Sequence, residues 1–387
     1  MRRSRYAGGT PRRLHPVPAL DGLRGLALAA VVLFHYPTHS AFVGGMFGVG
    51  VFFVLSGFLV GAGLLERRDS AGRVEVGEFL ARRAWRLVPA LLAFFGVFLA
   101  VVLAADGTRW FDAAALAGHP GRPLPVTVAL LGTAQTLTGW FNVVLAQQWP
   151  HASAFGHLWT LGVEAQFYVL IALVVWATAR RRRLLGPLAV AVVVGSAVSP
   201  FALWNGGAGQ NVIYFGTVPR FQQLVGGALL AGAWRRGALD RLPPAVLRVG
   251  AWAGSGVLVW LVLEVGNVPF KYLGAFSVAG AGAVLLVAHL VSGPERSVIR
   301  RVLAHPVLTY VGRRSYAIYL WHWPLALWTD RLPHPVGVPL GIGLSVGLAE
   351  ASWRFVEHPA QRWSRRRGRN RAGLGPAPGS PVGSAAG

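Results

Sequence analysis

Three ionisable residues stand in one apolar run near the N-terminus, PALDGLRGLALAAVVLFHYP: Asp21, Arg24 and His35. In a helix turning about 100° per residue, the steps from Arg24 to His35 return to within about 20° of the start, and those from Asp21 to His35 to within about 40°. The three therefore share one stripe, with Arg24 and His35 about 16 Å apart along the axis. An imidazole there suits proton transfer or covalent catalysis, and a guanidinium suits the anchoring of an anionic group. Asp21 is placed to set the position of Arg24, and the pair also reads as an interfacial ion pair with Arg24 snorkelling. A second run, HLWTLGVEAQFYVLIALVVW, carries Glu164 and Gln166. If this helix enters from outside, Glu164 lies about two turns deep, at the level expected of His35. A carboxylate at that depth is costly unless paired or facing water, which makes His35 and Glu164 a candidate acid/base pair.

Further candidates have structural readings beside the chemical ones. Ser56 in FFVLSGF is flanked by Gly57 and Gly61, which fits a close helix contact as well as a serine site. His322, between Trp321 and Trp323 in SYAIYLWHWP, reads as part of an interfacial aromatic belt or of a wall on which a sugar stacks. With Trp159 near Glu164, these residues outline an expected acceptor cleft; Arg220 and Glu350 fit a structural pair. Arg82, Arg83, Arg86, Arg313 and Arg314 fit ordinary membrane topology and equally a polyanion arriving from the cytoplasm.

The elements that position these residues must be membrane helices. Of 387 residues, 54% are apolar and only 13% charged, against roughly a quarter charged in soluble domains, and mean hydropathy is +0.49. There is no cysteine, which excludes disulfides, zinc-thiolate sites and cysteine nucleophiles. The net charge of +23 is almost all arginine, a bias that with abundant glycine and alanine suggests a GC-rich bacterial genome. The arginines lie between apolar runs and form no aromatic-laced stripe, so the expected partner is a lipid bilayer and not nucleic acid.

Runs long enough to cross a bilayer are read at 18–36, 42–65, 87–105, 158–179, 184–204, 216–234, 246–263, 273–292, 306–328 and 336–356. The predicted fold is all-α and polytopic, with about ten transmembrane helices. Arginine clusters at 2–13, 67–86, 180–183, 235–248, 296–301 and 362–371 all fall on the cytoplasmic side if both termini do. The run 125–146, wet with Thr127, Thr133, Gln135, Thr136, Thr138 and Asn142, would reverse every later span if it crossed; it is expected to be a re-entrant or interfacial helix. Asp21 and Arg24 in the first run argue against a cleaved signal. The expected organisation is a basic arm over 1–17, a membrane domain over 18–363, and a disordered basic, Gly/Pro-rich tail over 364–387. A bacterial cytoplasmic membrane is the expected location.

At these residues the sequence resembles the acyltransferase-3 family of integral-membrane acyltransferases, which O-acylate bacterial surface polysaccharides, lipopolysaccharide, peptidoglycan, Nod factors and macrolides. The resemblance rests on LDGLRGLALAAVVLFH with its Arg24 and His35, GVGVFFVLSGFLV, FLARRAWRLVPA, HLWTLGVEAQFY, PRFQQLVGGALLAG, SYAIYLWHWP and FVEHPAQRW, which occur in the family's order. It implies a ten-helix core, acyl-CoA as donor with no metal, essential Arg24 and His35, and roles for the FFVLSGF segment, the RRxxR arginines and Glu164. Two departures stand out: the family's paired glutamates are Glu164 and Ala165 here, and no SGNH hydrolase-like domain follows, so direct transfer is expected. The implied activity is transfer of an acyl group, acetyl above all, from acyl-CoA to a hydroxyl of a carbohydrate or glycosylated acceptor. In that reading Arg82, Arg83, Arg86, Arg313, Arg314 and Ser56 serve the donor, and Trp159, His322, Trp323 and Arg220 the acceptor. His35 acts as a general base or as a transient acyl carrier. A transporter or flippase for a glycan is the alternative, since intramembrane charges also mark substrate paths; it predicts pseudo-symmetric halves, which the sequence lacks.

Overall fold

The computed structural model describes residues 12–13, 15–36, 41–72, 74–104, 125–147 and 155–371, and every regular element among them is helical. The first half holds α1 (Pro18–His35), α2 (Gly48–Ala71), α3 (Val76–Ala104), α4 (Pro125–Leu137), α5 (Phe141–Ala146), α6 (Trp159–Ala177), α7 (Leu185–Asn205) and α8 (Gln210–Phe215). The second holds α9 (Thr217–Arg235), α10 (Pro244–Glu264), α11 (Phe276–Ser292), α12 (Val298–Leu303), α13 (Pro306–Arg313), α14 (Ser315–Thr329), α15 (His334–Ser352) and α16 (His358–Arg371). The chain is an all-α polytopic membrane protein.

Among the described residues, eight stretches are long and apolar enough to cross a bilayer by length and composition: 18–35, 45–71, 76–101, 156–177, 182–205, 244–264, 271–292 and 334–364. The other two expected spans, 216–234 and 306–328, are not among these stretches. In α9, Arg220, Gln222, Gln223 and Arg235 are all buried, because the helix packs along α2 on one side and α7 on another. The expected span 306–328 breaks at Arg314 into α13 and α14; α13 packs on α1 and α14 on α15. A helix enclosed by others, as α9 largely is, has no need of an apolar exterior, whereas α13 and α14, of 8 and 15 residues, are each too short to cross alone.

Burial separates centre from rim. The window of α2 is 72% buried and that of α7 only 11%. Outward-facing Val190, Val194, Val198 and Phe201 on α7, with Val249, Trp252 and Val259 on α10, give the apolar exterior that lipid requires. At the centre, α2 and α9 approach until backbones touch: a Cβ on Gly57 would lie 1.8 Å from the Leu224 carbonyl oxygen, and one on Gly227 2.1 Å from that of Val54. Small residues permit this contact, which is the main source of helix association in lipid.

Two expected boundaries shift. The third helix starts at Val76 and not near 87, because the polar turn holding Arg82, Arg83 and Arg86 is itself helical. The last helix runs to Arg371, past the expected boundary at 363; residues 1–11 of the expected arm and 372–387 of the expected tail lie outside the described residues. The wet run 125–146 is two short helices divided at Gly139, whose φ is +76°, and neither is long enough to cross. Its polarity is anchorage. Asn142 Nδ2 donates to the Phe215 carbonyl (3.1 Å) and to Thr217 Oγ1 (2.9 Å), while Gln166 Nε2 donates to the Gly139 carbonyl (2.7 Å) and to Asn142 Oδ1 (2.9 Å).

Candidate active site

His35 is the last residue of α1, and α14 brings His322 against it, with Nδ1 of His35 2.9 Å from Nε2 of His322. The bond directions follow from one fixed acceptor. The Tyr319 carbonyl lies 2.7 Å from His322 Nδ1, so that nitrogen must donate. In the neutral ring His322 Nε2 is then an acceptor, and His35 Nδ1 donates to it. His35 is left with a lone pair on Nε2, the form a base requires. The Trp323 ring meets His35 edge-on at 4.5 Å between centroids, and His157 stands 5.3 Å from His322.

Pro324 explains part of this order. It lacks an N–H, so the carbonyl of Leu320, four residues earlier in α14, loses its helical donor; His157 Nε2 supplies one at 3.2 Å. His322 is 0% exposed, so its ring is enclosed by protein on the side away from His35 as well as toward it.

Toward the other end of α1, Arg24 opens onto a cavity of about 80 Å³ whose lining includes Ser56, Arg83, Arg86, Glu164 and Tyr168. Tyr168 Oη donates to Glu164 Oε2 (2.9 Å) and accepts from Ser56 Oγ (3.0 Å). Three guanidiniums outnumber the one carboxylate, so the cavity favours an anion. Arg24 interacts electrostatically with Arg86, Glu164 and Asp21. Glu164 lines this arginine cavity, and the side chain within hydrogen-bond distance of His35 is His322. Between cavity and imidazoles stands Tyr319, whose ring lines the cavity and lies 5.4 Å from His322. Its hydroxyl accepts from Thr160 Oγ1 (2.9 Å) and donates to the His157 carbonyl.

The remaining expected site residues divide by what already holds them. Arg82 is ion-paired to Glu78 and does not line the cavity, unlike Arg83 and Arg86. Arg314 is ion-paired to Glu350, which also accepts from Arg354 Nε (2.6 Å) and Tyr310 Oη (2.8 Å). Arg313 is exposed at the end of α13. Arg220 does not meet Glu350: it is 2% exposed and donates through Nε (2.9 Å) and Nη2 (2.6 Å) to the Tyr214 carbonyl. Its guanidinium lies 3.4 Å from the Phe276 ring centre and 5.3 Å from that of Trp159. Arg220 and Trp159 thus form an internal cation–π box and leave Trp323 as the tryptophan at the imidazole pair.

Sequence reasoning passed over His157, Tyr168, Tyr319 and Glu357. Glu357 is 3% exposed and interacts electrostatically with Arg86 from behind the cavity. For His157 a signal existed: a proline inside a span leaves a carbonyl that some buried donor must satisfy. Ala165 faces the turn at Gly139, where a Cβ would lie 3.3 Å from its own, so its side chain points away from the cavity that Glu164 lines. Among the described residues, no group of three or more His, Asp or Glu is arranged to hold a metal ion.

The fold and these half-sites define a helical membrane protein with an imidazole at one end of its leading helix and an anion-favouring cavity toward the other. The chain belongs to the acyltransferase-3 family: the family model, described as an acyltransferase domain, matches residues 17–349. It is similar to the peptidoglycan O-acetyltransferase OatA of Listeria monocytogenes, 29% identical over 89% of this chain and 56% of that relative. It is also similar to the O-acetyltransferase OatA of Staphylococcus aureus, 27% identical over 91% of this chain and 58% of that relative. The chain thus spans somewhat more than half the length of these relatives. No solved structure matches it.

Proposed function

We propose that this chain moves an acetyl group from acetyl-CoA to a hydroxyl of a carbohydrate or glycosylated acceptor, working from the bacterial cytoplasmic membrane. The acceptor classes in view are a surface polysaccharide, a cell-envelope glycan and a macrolide-type sugar. The observation that carries the reading is the directed chain from His35 Nδ1 through His322 to the Tyr319 carbonyl, because it leaves His35 Nε2 unprotonated where α1 ends. The arginine cavity supports the donor half. About 80 Å³ accommodates the thin acyl-thioester arm and leaves the nucleotide outside, beside Arg313. Arg24, Arg83 and Arg86 hold the polar part of the arm, and Asp21 and Glu164 fix those guanidiniums.

In the reaction, the acceptor hydroxyl gives its proton to His35 Nε2 while its oxygen bonds to the thioester carbonyl carbon. The C–S bond then breaks, and the CoA thiolate leaves and takes up the proton. The His322 lone pair stabilises the imidazolium formed on His35. Trp323, against His35, offers the acceptor sugar a stacking face. Tyr319 separates the two halves and must turn aside for the thioester to meet the imidazole.

The test uses the purified chain in lipid nanodiscs with labelled acetyl-CoA and a peptidoglycan-derived oligosaccharide. The His35→Ala variant is expected to lose transfer by about 10²–10⁴-fold while binding the donor normally. Retained turnover would remove His35 from the mechanism, and an acetyl-histidine trapped by mass spectrometry would replace the base with an acyl carrier. A protein that bound the glycan without ever cleaving the thioester would be acting as a transporter.

A further inference from the structure

A second cavity, far larger than the first, lies across the wall formed by α2 and α6. It measures about 1050 Å³ and shares no lining residue with the arginine cavity. Its origin is topological. Helices α6 and α7 are consecutive, yet α7 packs chiefly on α9, while α6 packs chiefly on α2, α3 and α5. The gap between them is walled by Leu170, Val174, Leu188 and Val192 and floored by Gly61 and Ala228. Leu170 and Leu188 are 41% and 42% exposed, so the slot opens sideways, where the bilayer lies.

One end of the slot is chemically different. Arg12, Arg68, Arg182, Arg235, Arg236 and Arg241 gather there. Against these six cations the lining holds two carboxylates, Asp69 and Asp240. Asp69 is already shared by Arg235 (2.8 Å), Arg68 (3.2 Å) and Arg182 (3.8 Å), and Asp240 is taken by Arg12. Arg68 Nε and Arg235 Nε remain buried without an acceptor. A slot of this size lined by aliphatic side chains is neither left empty, since interiors close-pack, nor filled by water, which needs polar partners. Its occupant must carry hydrocarbon along the slot and negative charge at the arginine end.

We propose that this cleft binds one anionic phospholipid from the leaflet at the arginine-rich end, with its phosphate among Arg182, Arg235 and Arg236 and an acyl chain between α6 and α7. Basic pockets between membrane helices are sites of this kind. The amide-bearing arm of a CoA thioester suits the apolar walls between α6 and α7 poorly. The site lies outside the proposed acyl-transfer machinery, so its test does not read activity.

The test adds phosphatidylglycerol or phosphatidylcholine to the detergent-purified full chain and measures lipid retention by native mass spectrometry, with thermal unfolding alongside. Phosphatidylglycerol should be retained and should raise the unfolding midpoint; phosphatidylcholine should do neither. The double variant Arg182→Gln/Arg236→Gln is expected to bind phosphatidylglycerol about 30-fold more weakly. Val192→Trp, which fills the slot and leaves every arginine in place, should also lose retention. The double variant Arg296→Gln/Arg301→Gln, outside the cleft, should retain the lipid as the parent does. Equal retention of the two lipids, equal loss in the outside variant, or unchanged retention in both cleft variants would overturn the proposal. Displacement of the lipid by soluble acetyl-CoA would overturn it too, by assigning the cleft to the donor.

Discussion

At the residue scale, what a charged group already holds decides what it is free to do. Arg314 and Arg82 are committed to Glu350 and Glu78, whereas Arg83 and Arg86 line the cavity beside Glu164. The Arg83→Gln variant should therefore raise KM for acetyl-CoA by roughly ten- to a hundredfold, the worth of one charge-assisted hydrogen bond of about 1.5–3 kcal/mol. Arg314→Gln should leave that KM near the parent value and lower the unfolding midpoint instead, because Glu350 loses a partner. Steady-state kinetics and thermal unfolding on both variants separate the two, and an equal KM effect would return Arg314 to the donor site. His322 invites a similar split. The His322→Phe variant removes the acceptor for His35 Nδ1 and should lower kcat by roughly 10²-fold with little change in KM. His322→Gln, whose amide oxygen can still accept, should recover part of the loss. If both variants were equally slow, His322 would be merely a packing residue.

At the element scale, close helix contact sets what each position tolerates. A Cβ at Gly57 would run into the Leu224 carbonyl oxygen at 1.8 Å, whereas one at Gly63 on the same helix meets nothing within 4 Å. The Gly57→Ala variant should cost about 1–3 kcal/mol through overpacking. Gly63→Ala should be neutral or gain roughly 0.5–1 kcal/mol of helix propensity. Equal unfolding midpoints for the two would mean that α2 and α9 are not locked at that contact. The helices themselves were legible in the sequence, because hydropathy marks segments that must satisfy their own backbone in lipid. Their exceptions were legible only in part. The polar turn before residue 87 is helical because α3 continues through it, and the break at Arg314 follows from packing against α1 and α15. The stripe of Asp21, Arg24 and His35 followed from helical period alone. The partner of His35 did not, since His322 is 287 residues away and matched depth does not say which side of a bundle a side chain faces. That is why Glu164, assigned by depth, sits with the arginines.

At the scale of the whole molecule, the arginine clusters that hydropathy leaves scattered are drawn into one network. Arg12 from the N-terminal arm, Asp69 at the end of α2, Arg182 between α6 and α7, and Arg235 at the end of α9 meet through Asp69 and Asp240. Segments separated along the chain thus place their cations at the same end of the bundle, as the positive-inside rule requires of cytoplasmic loops. The orientation matters to the proposed chemistry, because the proposed donor, made in the cytoplasm, must reach the cavity of Arg24 from that end. The absence of cysteine makes the question directly measurable, since any thiol introduced is the only one to react. In intact spheroplasts a membrane-impermeant maleimide should label the Arg331→Cys variant, whose exposed position lies between α14 and α15. Arg183→Cys, exposed between α6 and α7, should be labelled only after the membrane is permeabilised. The reverse pattern would put the arginine network outside the cell, where acetyl-CoA is not made, and the proposed path of the acyl group from Arg24 toward His35 would have no source.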